Sequence, residues 1–455
     1  MLTYELNKQP GIPLYEALYR CIREDILSGK LLAGQKLPSK RALAQHLEVS
    51  CITVEGTYNQ LLSEGYICAK PRVGYFVEAV EHKATIIPQP VPPPEEVSWE
   101  VDLTTNASTD FPFSVWSKLQ RQVMQDHPQA LLRPMPNQGL WELRQAISDH
   151  LAAFRGMQVQ PENILVGAGT DFLYNLLIQL LGREKIYAVE EPGYGKIRMI
   201  YAAGGVNCIS ALMDESGVIP ESLGDAQVLH ISPSHHFPTG LVTPGKRRMA
   251  LLQWACQQEG RYIIEDDYDS EFRFSFHPLP AVASLDRKGR VIYMNTFSKT
   301  LAPSIRISYM VLPPALMAQF QKKLGFYNCT VPSFEQYTLT RFLQEGYFEK
   351  HLNRMRKAYK SRRNAMISML SEIPFASRIR ILEQDAGLHF LLQVQTTLTE
   401  AQLIAKCASV GIRVQTLSSY YHGEVPPEDR NCLVINYSGL HPEQIALLSR
   451  KLKEL

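Results

Sequence analysis

The residues of this sequence best suited to chemistry are grouped around one lysine. The stretch NTFSKTLAP, residues 295–303, sets Lys299 among three hydroxyls, directly after the apolar run VIYM. A lysine near the low-dielectric end of a buried strand has a lowered pKa, so its amine becomes a nucleophile that is able to form a Schiff base. A solvated loop lysine is the ordinary alternative, and the surrounding sequence has to decide between the two.

Groups that suit a phosphate occur beside this lysine and at a second turn. Thr296 and Ser298 precede the lysine, and Arg306 follows it. In VGAGTDFLYNLL, Gly169 and Thr170 stand between a predicted strand and a predicted helix, where backbone N–H groups and a hydroxyl make an anion cradle. A packing turn is the simpler interpretation of these glycines by themselves. The sequence contains neither a P-loop nor G-x-G-x-x-G.

An acidic segment with a phenol follows another apolar run. In YIIEDDYDSEF, a predicted strand runs directly into Asp266, Asp267 and Tyr268, although charges at the mouth of a buried strand are costly to desolvate. A solvent-facing acidic loop is the alternative. A carboxylate here could pair with a cationic ring nitrogen, and a phenol with a ring oxygen. Together with a phosphate cradle and a Schiff-base lysine, this inventory fits pyridoxal 5′-phosphate.

Apolar runs that alternate with longer helical segments predict an α/β domain around these groups. Five of the runs predict parallel strands: NILVGAG, KIYAVEE, AQVLHISP, RYIIEDD and RVIYMNTF. Sites in such sheets lie at the carboxyl ends of the strands, and the residues suited to chemistry fall there.

A proline-rich stretch divides the chain. ATIIPQPVPPPEEVSWE, residues 84–100, contains five prolines and predicts a semi-rigid extended spacer. The predicted organisation is a small domain at 1–78, a linker at 79–100 and a large domain at 101–455, whose small subdomain occupies roughly 325–455.

The N-terminal domain is predicted to contain three helices and a β-wing. Its first helix carries one apolar face, at Leu14, Leu18, Ile22 and Ile26. Ser39 and Ser50 are candidate N-caps of the second and third helices, and two short β-type runs surround residues 70–74. This order predicts a winged helix-turn-helix, with a small helical dimerisation domain as the alternative.

The segments AGQKLPSKRALAQHLEVS, TYNQLLSEGYI and RVGYFV closely resemble the DNA-binding domain of the GntR regulators, over residues 12–78. The resemblance implies a double-stranded DNA operator as partner and a set of DNA-facing residues: Ser39, Lys40, Arg41, Ser50, Thr53, Lys70, Arg72 and Gly74. The family usually has an arginine after the serine that opens the third helix, and this residue is Cys51 here. Because cysteine cannot make a bidentate guanine contact, we expect a different operator preference.

Residues 100–455 resemble the fold-type I aminotransferases in the order and spacing of their motifs. SPSHHFPTG and EEPGY are similar to segments that contact the cofactor in that family. FSKTLAPSIRISYM, GLHFLL and GIRVQTLSSYY resemble one subgroup, the MocR-type regulators. In that subgroup, a GntR DNA-binding domain is fused to an aminotransferase-like domain.

By position, the resemblance implies a role for each cofactor-contacting residue. Lys299 would form the Schiff base, Asp266 would pair with the pyridine nitrogen and Tyr268 would hydrogen-bond the ring hydroxyl. Asp267 is the alternative partner of the pyridine nitrogen. We prefer Asp266 because the family pattern has the first aspartate of the pair at that position. Tyr194 would stack on the ring, and the phosphate would lie near Gly169, Thr170, Thr296, Ser298 and Arg306.

One departure from the family bears on catalysis. Related sequences usually read LRLGY near the C-terminus, with an arginine that binds the α-carboxylate of a substrate, and the aligned residue here is Val434. Ordinary transamination is therefore unexpected unless another arginine, such as Arg413, takes that role. Two effectors stay open: pyridoxal phosphate itself, which we slightly favour, or an amine or amino compound held differently.

The sequence therefore predicts a transcriptional regulator that binds DNA and pyridoxal phosphate, controls vitamin B6 or amino-acid metabolism, and uses its aminotransferase-like domain for sensing rather than as an enzyme. A working aminotransferase with a vestigial DNA-binding domain is the main alternative, and a cofactor-free scaffold is a third. The fold-type I resemblance also implies a domain-swapped homodimer.

The composition gives no bulk electrostatic preference for nucleic acid or membrane. The net charge is +2, the mean hydropathy is −0.15, and no apolar run approaches the length of a membrane span. The N-terminus MLTYELNKQPG lacks the blocks of a signal peptide, and the eight cysteines form no C-x-x-C pair. We expect a cytoplasmic protein with reduced thiols, no metal site and no membrane contact.

Overall fold

The computed structural model of the 455-residue chain describes residues 2–4, 13–79, 99–105, 110–272, 279–383 and 387–454. The chain folds as two compact units, Met1–Glu96 and Val97–Leu455. The predicted linker at 79–100 lies outside the described residues except for its first residue and its last two. In the described part of the chain, no helix combines the length and apolar character that a membrane crossing requires.

The N-terminal unit contains three helices followed by a two-stranded antiparallel hairpin. In chain order these are α1 (Leu14–Leu27), α2 (Lys40–His46), α3 (Cys51–Ser63), β1 (Ile67–Lys70) and β2 (Gly74–Val77). Ser39 and Ser50 are the N-caps of α2 and α3, because their hydroxyls accept hydrogen bonds from the N–H groups of Ala42 and Thr53. The predicted winged helix-turn-helix is confirmed.

One face of α1 holds this small unit together. Leu18, Ile22 and Ile26 are buried and Leu14 is half-buried, so the predicted apolar face is the packed one. Leu18, Ile22 and Ile26 belong to a single cluster with Tyr58 of α3. Burying each such side chain fully stabilises the fold by roughly 1.5–3 kcal/mol.

The C-terminal unit alternates helices and strands. Its first half contains β3 (Val101–Asp102), α4 (Phe113–Asp126), α5 (Trp141–Arg155), β4 (Ile164–Gly167), α6 (Thr170–Leu181), β5 (Ile186–Glu191), α7 (Gly195–Ala203), β6 (Asn207–Asp214), β7 (Gly217–Val218), β8 (Val228–Ile231), α8 (Gly245–Gln257) and β9 (Tyr262–Asp266). Its second half contains α9 (Val282–Leu285), β10 (Val291–Thr296), α10 (Phe297–Thr300), β11 (Ser308–Val311), α11 (Pro314–Leu324), α12 (Ser333–Gln344), α13 (Tyr347–Ser371), β12 (Ile379–Leu382), β13 (His389–Val394), α14 (Glu400–Ser409), β14 (Ile412–Arg413), β15 (Cys432–Asn436) and α15 (Pro442–Leu452).

An eight-stranded sheet forms the centre of this unit, in the order β4-β11-β10-β9-β8-β5-β6-β7. The five strands predicted from the apolar runs are β4, β5, β8, β9 and β10, and all five run in the same direction. Every residue of β8 and β10 is buried, because helices cover both faces of a parallel sheet. The antiparallel strand β11 and the parallel strand β6 were not predicted from the apolar runs.

Parallel strands bring distant segments to one edge. The carboxyl ends of the five strands lie at Gly167, Glu191, Ile231, Asp266 and Thr296. The segments that follow these residues therefore meet at the same edge of the sheet.

A second, three-stranded antiparallel sheet, β12-β13-β15, lies in the C-terminal part of the unit, and the short β14 pairs in parallel with β3. This sheet falls within the predicted small subdomain at 325–455, whose boundary stays a prediction.

Candidate functional site

A cavity of about 610 Å³ opens at the carboxyl edge of the central sheet. Its wall consists of segments that follow β4, β5, β8, β9 and β10, together with residues 415–422. The predicted cofactor residues that line it are Thr170, Tyr194, Asp266, Tyr268, Thr296, Ser298, Lys299 and Arg306. The ninth, Gly169, directly precedes Thr170 in the chain.

Lys299 lies in α10, a single turn that follows β10 without a break. Thr296 is the N-cap of this turn, and its hydroxyl accepts a hydrogen bond from the N–H of Ser298 at 3.1 Å. Burial lowers the pKa of the Lys299 amine, although the nearby charges of Asp269 and Asp266 offset part of that effect. The lowered pKa increases the neutral, nucleophilic fraction of the amine.

The neighbouring carboxylates Asp266 and Asp267 have different surroundings. Asp266 lines the cavity, where one oxygen accepts a hydrogen bond from the Tyr174 hydroxyl and Oδ1 has no partner among the described residues. Asp267 does not line the cavity, and its Oδ2 lies 3.1 Å from Nε of Arg155 and 2.6 Å from the Tyr293 hydroxyl. Burial alone would raise the pKa of Asp267, but the charge of Arg155 lowers it. Each aspartate has a buried Oδ1 without a hydrogen-bond partner among the described residues, so it is the position of Asp266 in the cavity wall that makes it the one available to a ligand.

Tyr268 contacts a histidine–aspartate pair. Its hydroxyl lies 3.2 Å from Nδ1 of His235, and the same nitrogen lies 2.8 Å from Oδ2 of Asp269. Burial raises the pKa of Tyr268 well above its ordinary value, so the phenol stays protonated and can donate a hydrogen bond into the cavity. His235 belongs to the SPSHHFPTG segment that the resemblance associated with the cofactor.

The start of α6 and Arg306 form a corner suited to an anion. Gly169, with φ of +90°, precedes α6, and no side chain caps this helix. A Cβ at Gly169 would lie 2.3 Å from Nη2 of Arg306, so a side chain at this position would displace the guanidinium from the helix. Arg306 donates to the carbonyl of Ala168 and to the carboxylate of Asp171, both at 3.3 Å. A free helix N-terminus beside a guanidinium attracts anions.

Two of the predicted cavity hydroxyls have different roles in this corner. The Thr296 hydroxyl also accepts a hydrogen bond from the Ser308 hydroxyl at 2.8 Å, so it is already used in positioning α10. No hydrogen bond occupies the Ser298 hydroxyl among the described residues.

Tyr194, at the start of α7, is 48% exposed and meets Phe237 edge to face, with the ring centres 5.8 Å apart.

The polar wall residues that sequence reasoning missed include Tyr174, His230 and Glu190. Nε2 of His230 lies 3.8 Å from Oδ2 of Asp266, and Nδ1 is hydrogen-bonded to the Tyr201 hydroxyl at 2.7 Å. Burial raises the pKa of Glu190 to about 8. His230 and Glu190 could have been identified from their position in the sequence, because each stands one residue before the end of a predicted parallel strand.

These groups fit pyridoxal phosphate on three structural observations. One oxygen of Asp266 is buried in the cavity wall without a partner among the described residues, so it is available to a cationic ring nitrogen. The corner at Gly169 would be filled by any Cβ. The amine of Lys299 is desolvated and faces the same cavity.

The wall near Val434 has a different character. Val434 lies in β15, is fully buried and belongs to an apolar cluster made of Leu391, Leu417 and Cys432, against which Phe237 and Tyr420 of the cavity wall pack. An arginine at this position would have to bury its charge among apolar groups.

The described arginines that could take the place of one at Val434 are each paired with a carboxylate. Arg413, in β14, is half exposed, pairs with Asp102 at 3.3 Å and does not line the cavity. Within the described part of the wall, the arginines are Arg198 and Arg306. Arg198 is tied to Glu191 at 3.3 Å, and Arg306 belongs to the anion corner.

In the N-terminal unit, three of the predicted DNA-facing hydroxyls are engaged within the caps. The hydroxyl of Ser39 accepts from Ala42, and the hydroxyls of Ser50 and Thr53 are hydrogen-bonded to each other at 2.8 Å. Their contribution to DNA binding is therefore expected through the cap geometry, which aims backbone N–H groups at phosphates.

The basic residues of this unit are on its surface. Arg41, Lys70 and Arg72 are exposed, and Arg72 and Gly74 form the tight turn of the hairpin, with φ of +62° and +132°. Nζ of Lys40 lies 2.6 Å from Oε1 of Glu55 on α3, which raises the pKa of Lys40.

Comparison with protein families gives one match for each unit. Residues 14–77 match the bacterial regulatory proteins of the gntR family. Residues 100–452 match the aminotransferase class I and II family.

Several curated bacterial regulators are similar to the chain along nearly their whole length. The chain is 35% identical to the uncharacterized HTH-type transcriptional regulator YdeL of Bacillus subtilis, over 99% of this chain and 98% of that protein. It is 30% identical to the probable rhizopine catabolism regulatory protein MocR of Rhizobium meliloti, over 96% and 92%. It is 31% identical to the HTH-type pyridoxine biosynthesis transcriptional regulator PdxR of Corynebacterium glutamicum, over 93% and 92%.

Among solved structures, the chain is similar to the kynurenine aminotransferase of Pyrococcus horikoshii, determined in complex with PMP. The TM-score is 0.67 and the identity 25%, over 79% of this chain and 92% of that one. The predicted fold class, a winged helix-turn-helix joined to a fold-type I aminotransferase domain, is confirmed.

Proposed function

Since the chain belongs to the MocR-type gntR-family regulators, which carry an aminotransferase class I and II domain, we propose that its cavity binds pyridoxal phosphate and couples occupancy to DNA binding. The observation that carries this proposal is the cavity itself. It joins a desolvated amine, a buried carboxylate with an unpartnered oxygen and an anion corner within one chain that also has a winged helix-turn-helix.

Each part of the cofactor would meet a specific group. Lys299 would bind the aldehyde covalently, Asp266 would hold the ring nitrogen in its protonated form, and Arg306 with the start of α6 would hold the phosphate. Tyr268 keeps a proton on its hydroxyl, which suits donation to an oxygen of the ring. When bound, pyridoxal phosphate supplies an aldehyde conjugated to an electron-withdrawing ring, which reacts with amines.

The ligand that the regulator senses is, in this proposal, pyridoxal phosphate itself, and an amine without an α-carboxylate is the second candidate. The relative PdxR is named as a regulator of pyridoxine biosynthesis, which supports the first. Ordinary amino acids are disfavoured as ligands, because the residues around Val434 are apolar and the two arginines of the wall are already paired with carboxylates. These features argue equally against steady transamination by this domain.

Coupling requires that the ligand bind two arrangements of the protein unequally. We would measure binding of the full chain to DNA from around its own gene, by gel shift, with and without pyridoxal phosphate. The proposal predicts a change in Kd of at least about fivefold for the native protein and none for Lys299→Ala. An unchanged Kd in the native protein would remove the sensing role, and no DNA binding in either condition would remove the regulator.

We also propose that the protein acts in the cytoplasm as a homodimer with exchanged DNA-binding units. The support is the resemblance to fold-type I enzymes, whose sites lie at a dimer interface. Light scattering should then give twice the 51.5 kDa of one chain. A mass equal to one chain would contradict the dimer.

A further inference from the structure

The exposed face of α3 carries an unusual set of side chains for a helix that meets DNA. The exposed residues of α3 are Cys51, Ile52, Glu55, Asn59 and Ser63, and the first three lie in its first two turns. Ile52 is 79% exposed, more than any other large apolar residue described in this unit. None of the thirteen residues of α3 is a lysine or an arginine.

A single exposed isoleucine is ordinary on a protein surface, so the argument depends on where these residues lie. In a helix-turn-helix, the second helix of the motif lies in the major groove and its first residues contact base edges. In this unit that helix is α3, and its first two residues are Cys51 and Ile52. The side chains that would face the bases are therefore apolar.

The exposed cations predicted to face DNA lie on α2 and the hairpin and not on α3. Arg41 on α2 and Lys70 and Arg72 on the hairpin are exposed. Nζ of Lys40 lies 2.6 Å from Oε1 of Glu55, the one carboxylate of α3. The positive charge of Lys40 would therefore offset the repulsion between Glu55 and the DNA phosphates in the major groove. Phosphate contacts thus come from α2 and the hairpin, and α3 is left to read bases.

We propose that α3 selects its operator through thymine and cytosine, without a guanine contact from α3. Ile52, with Cys51 beside it, packs on the C5-methyl groups of thymines, and Glu55 accepts a hydrogen bond from the N4 amino group of a cytosine. The inference rests on the proposed DNA-binding function and adds its sequence specificity.

The test begins with selection from a random duplex library, using the full chain at fixed salt. Each conserved thymine of the selected duplex is then replaced by uracil, which removes only the methyl group. At the contacted positions, the native protein should lose about fourfold in affinity per methyl. Ile52→Ala should bind thymine and uracil duplexes equally. Leu32→Ala, which removes another highly exposed aliphatic side chain outside α3, should keep the native preference.

A second variant tests the carboxylate. Glu55→Gln should shift the preference at the selected cytosine towards adenine, because an amide matches the N6 and N7 groups of adenine. Both substitutions are at exposed positions, so circular dichroism should show unchanged folding.

The outcomes separate this inference from the proposed function. DNA binding that is indifferent to thymine methyls, or a selected site whose base preferences Ile52→Ala and Glu55→Gln both leave unchanged, would overturn the base assignment and leave the regulator intact. Failure to bind any duplex would overturn the DNA-binding function itself.

Discussion

The two sides of the cavity differ in chemistry. Around Lys299 and Asp266, the wall is polar, charged and desolvated, and it contains groups without a protein partner. Around Val434, it is backed by an apolar cluster in which every buried side chain is already packed against neighbours. Holding a cofactor and holding an amino-acid substrate are therefore separate physical requirements, and our proposal is that this chain meets only the first.

The comparison explains how an aminotransferase fold can serve a regulator. The groups predicted to hold the cofactor follow the carboxyl ends of parallel strands in one sheet, so any chain that keeps these strands also keeps the positions of those groups. The carboxylate anchor of an enzyme depends on one side chain on another strand, and the residue expected at that position is Val434 here. Replacing that anchor would leave the cofactor groups in place.

The largest effect should come from removing the amine. In Lys299→Ala, borohydride should fix no pyridoxyl group on the protein, whereas the native chain should be labelled on the peptide that contains Lys299. Lys196→Ala is the matched control, because Lys196 also lines the cavity but is half exposed and paired with Asp171. Labelling of Lys299→Ala to the native extent would refute the assignment.

The adjacent aspartates should separate stability from binding. Asp267→Asn leaves Arg155 as a buried charge without its partner and should lower the free energy of unfolding by about 3–5 kcal/mol, measured by denaturant titration of the cofactor-free protein. Asp266→Asn should change stability much less but weaken pyridoxal phosphate binding by roughly tenfold, equivalent to the loss of a charge-assisted hydrogen bond. The reverse pattern would show that Asp267 is the cofactor ligand.

A methyl group in the anion corner should abolish recognition of the phosphate. Gly169→Ala is strained at φ of +90° and displaces Arg306, so the variant should bind pyridoxal phosphate no better than pyridoxal, which lacks the phosphate. Gly195→Ala is the control, since a Cβ there has open space around it. If Gly169→Ala still prefers the phosphorylated form as strongly as the native protein does, the phosphate lies elsewhere.

A smaller effect is expected on the pH dependence of labelling. Attachment needs the neutral amine, so its rate should rise with pH and level off below 10.5, the ordinary pKa of lysine, because burial lowers the pKa of Lys299. Asp269→Asn removes a negative charge that favours the protonated amine, so the plateau should move to lower pH. A shift to higher pH would contradict this account of the site.

Much of the fold and the cavity followed from the sequence because both depend on short-range patterns. Apolar runs identify β9 and β10, and parallel strands must bring the residues that follow them to one edge. Asp266 and Lys299 could therefore be assigned to one site although they are far apart in the chain.

The parts that the sequence did not reveal depend on contacts between distant segments. The capping role of Thr296 relies on Ser308, and the pairing of His235 with Asp269 joins loops that follow different strands. The apolar surroundings of Val434 come from several segments that are far apart in the chain. No periodicity in the chain encodes such contacts.

The most direct test of the central claim compares two ligands that differ only in an α-carboxylate. Phenethylamine and phenylalanine would be titrated into the protein loaded with pyridoxal phosphate, with the visible absorption spectrum as the readout. We predict that phenethylamine changes the spectrum at concentrations equal to or lower than phenylalanine does. A response to phenylalanine at concentrations at least about tenfold lower would mean that a carboxylate anchor exists, and the separation between cofactor binding and substrate binding would fail.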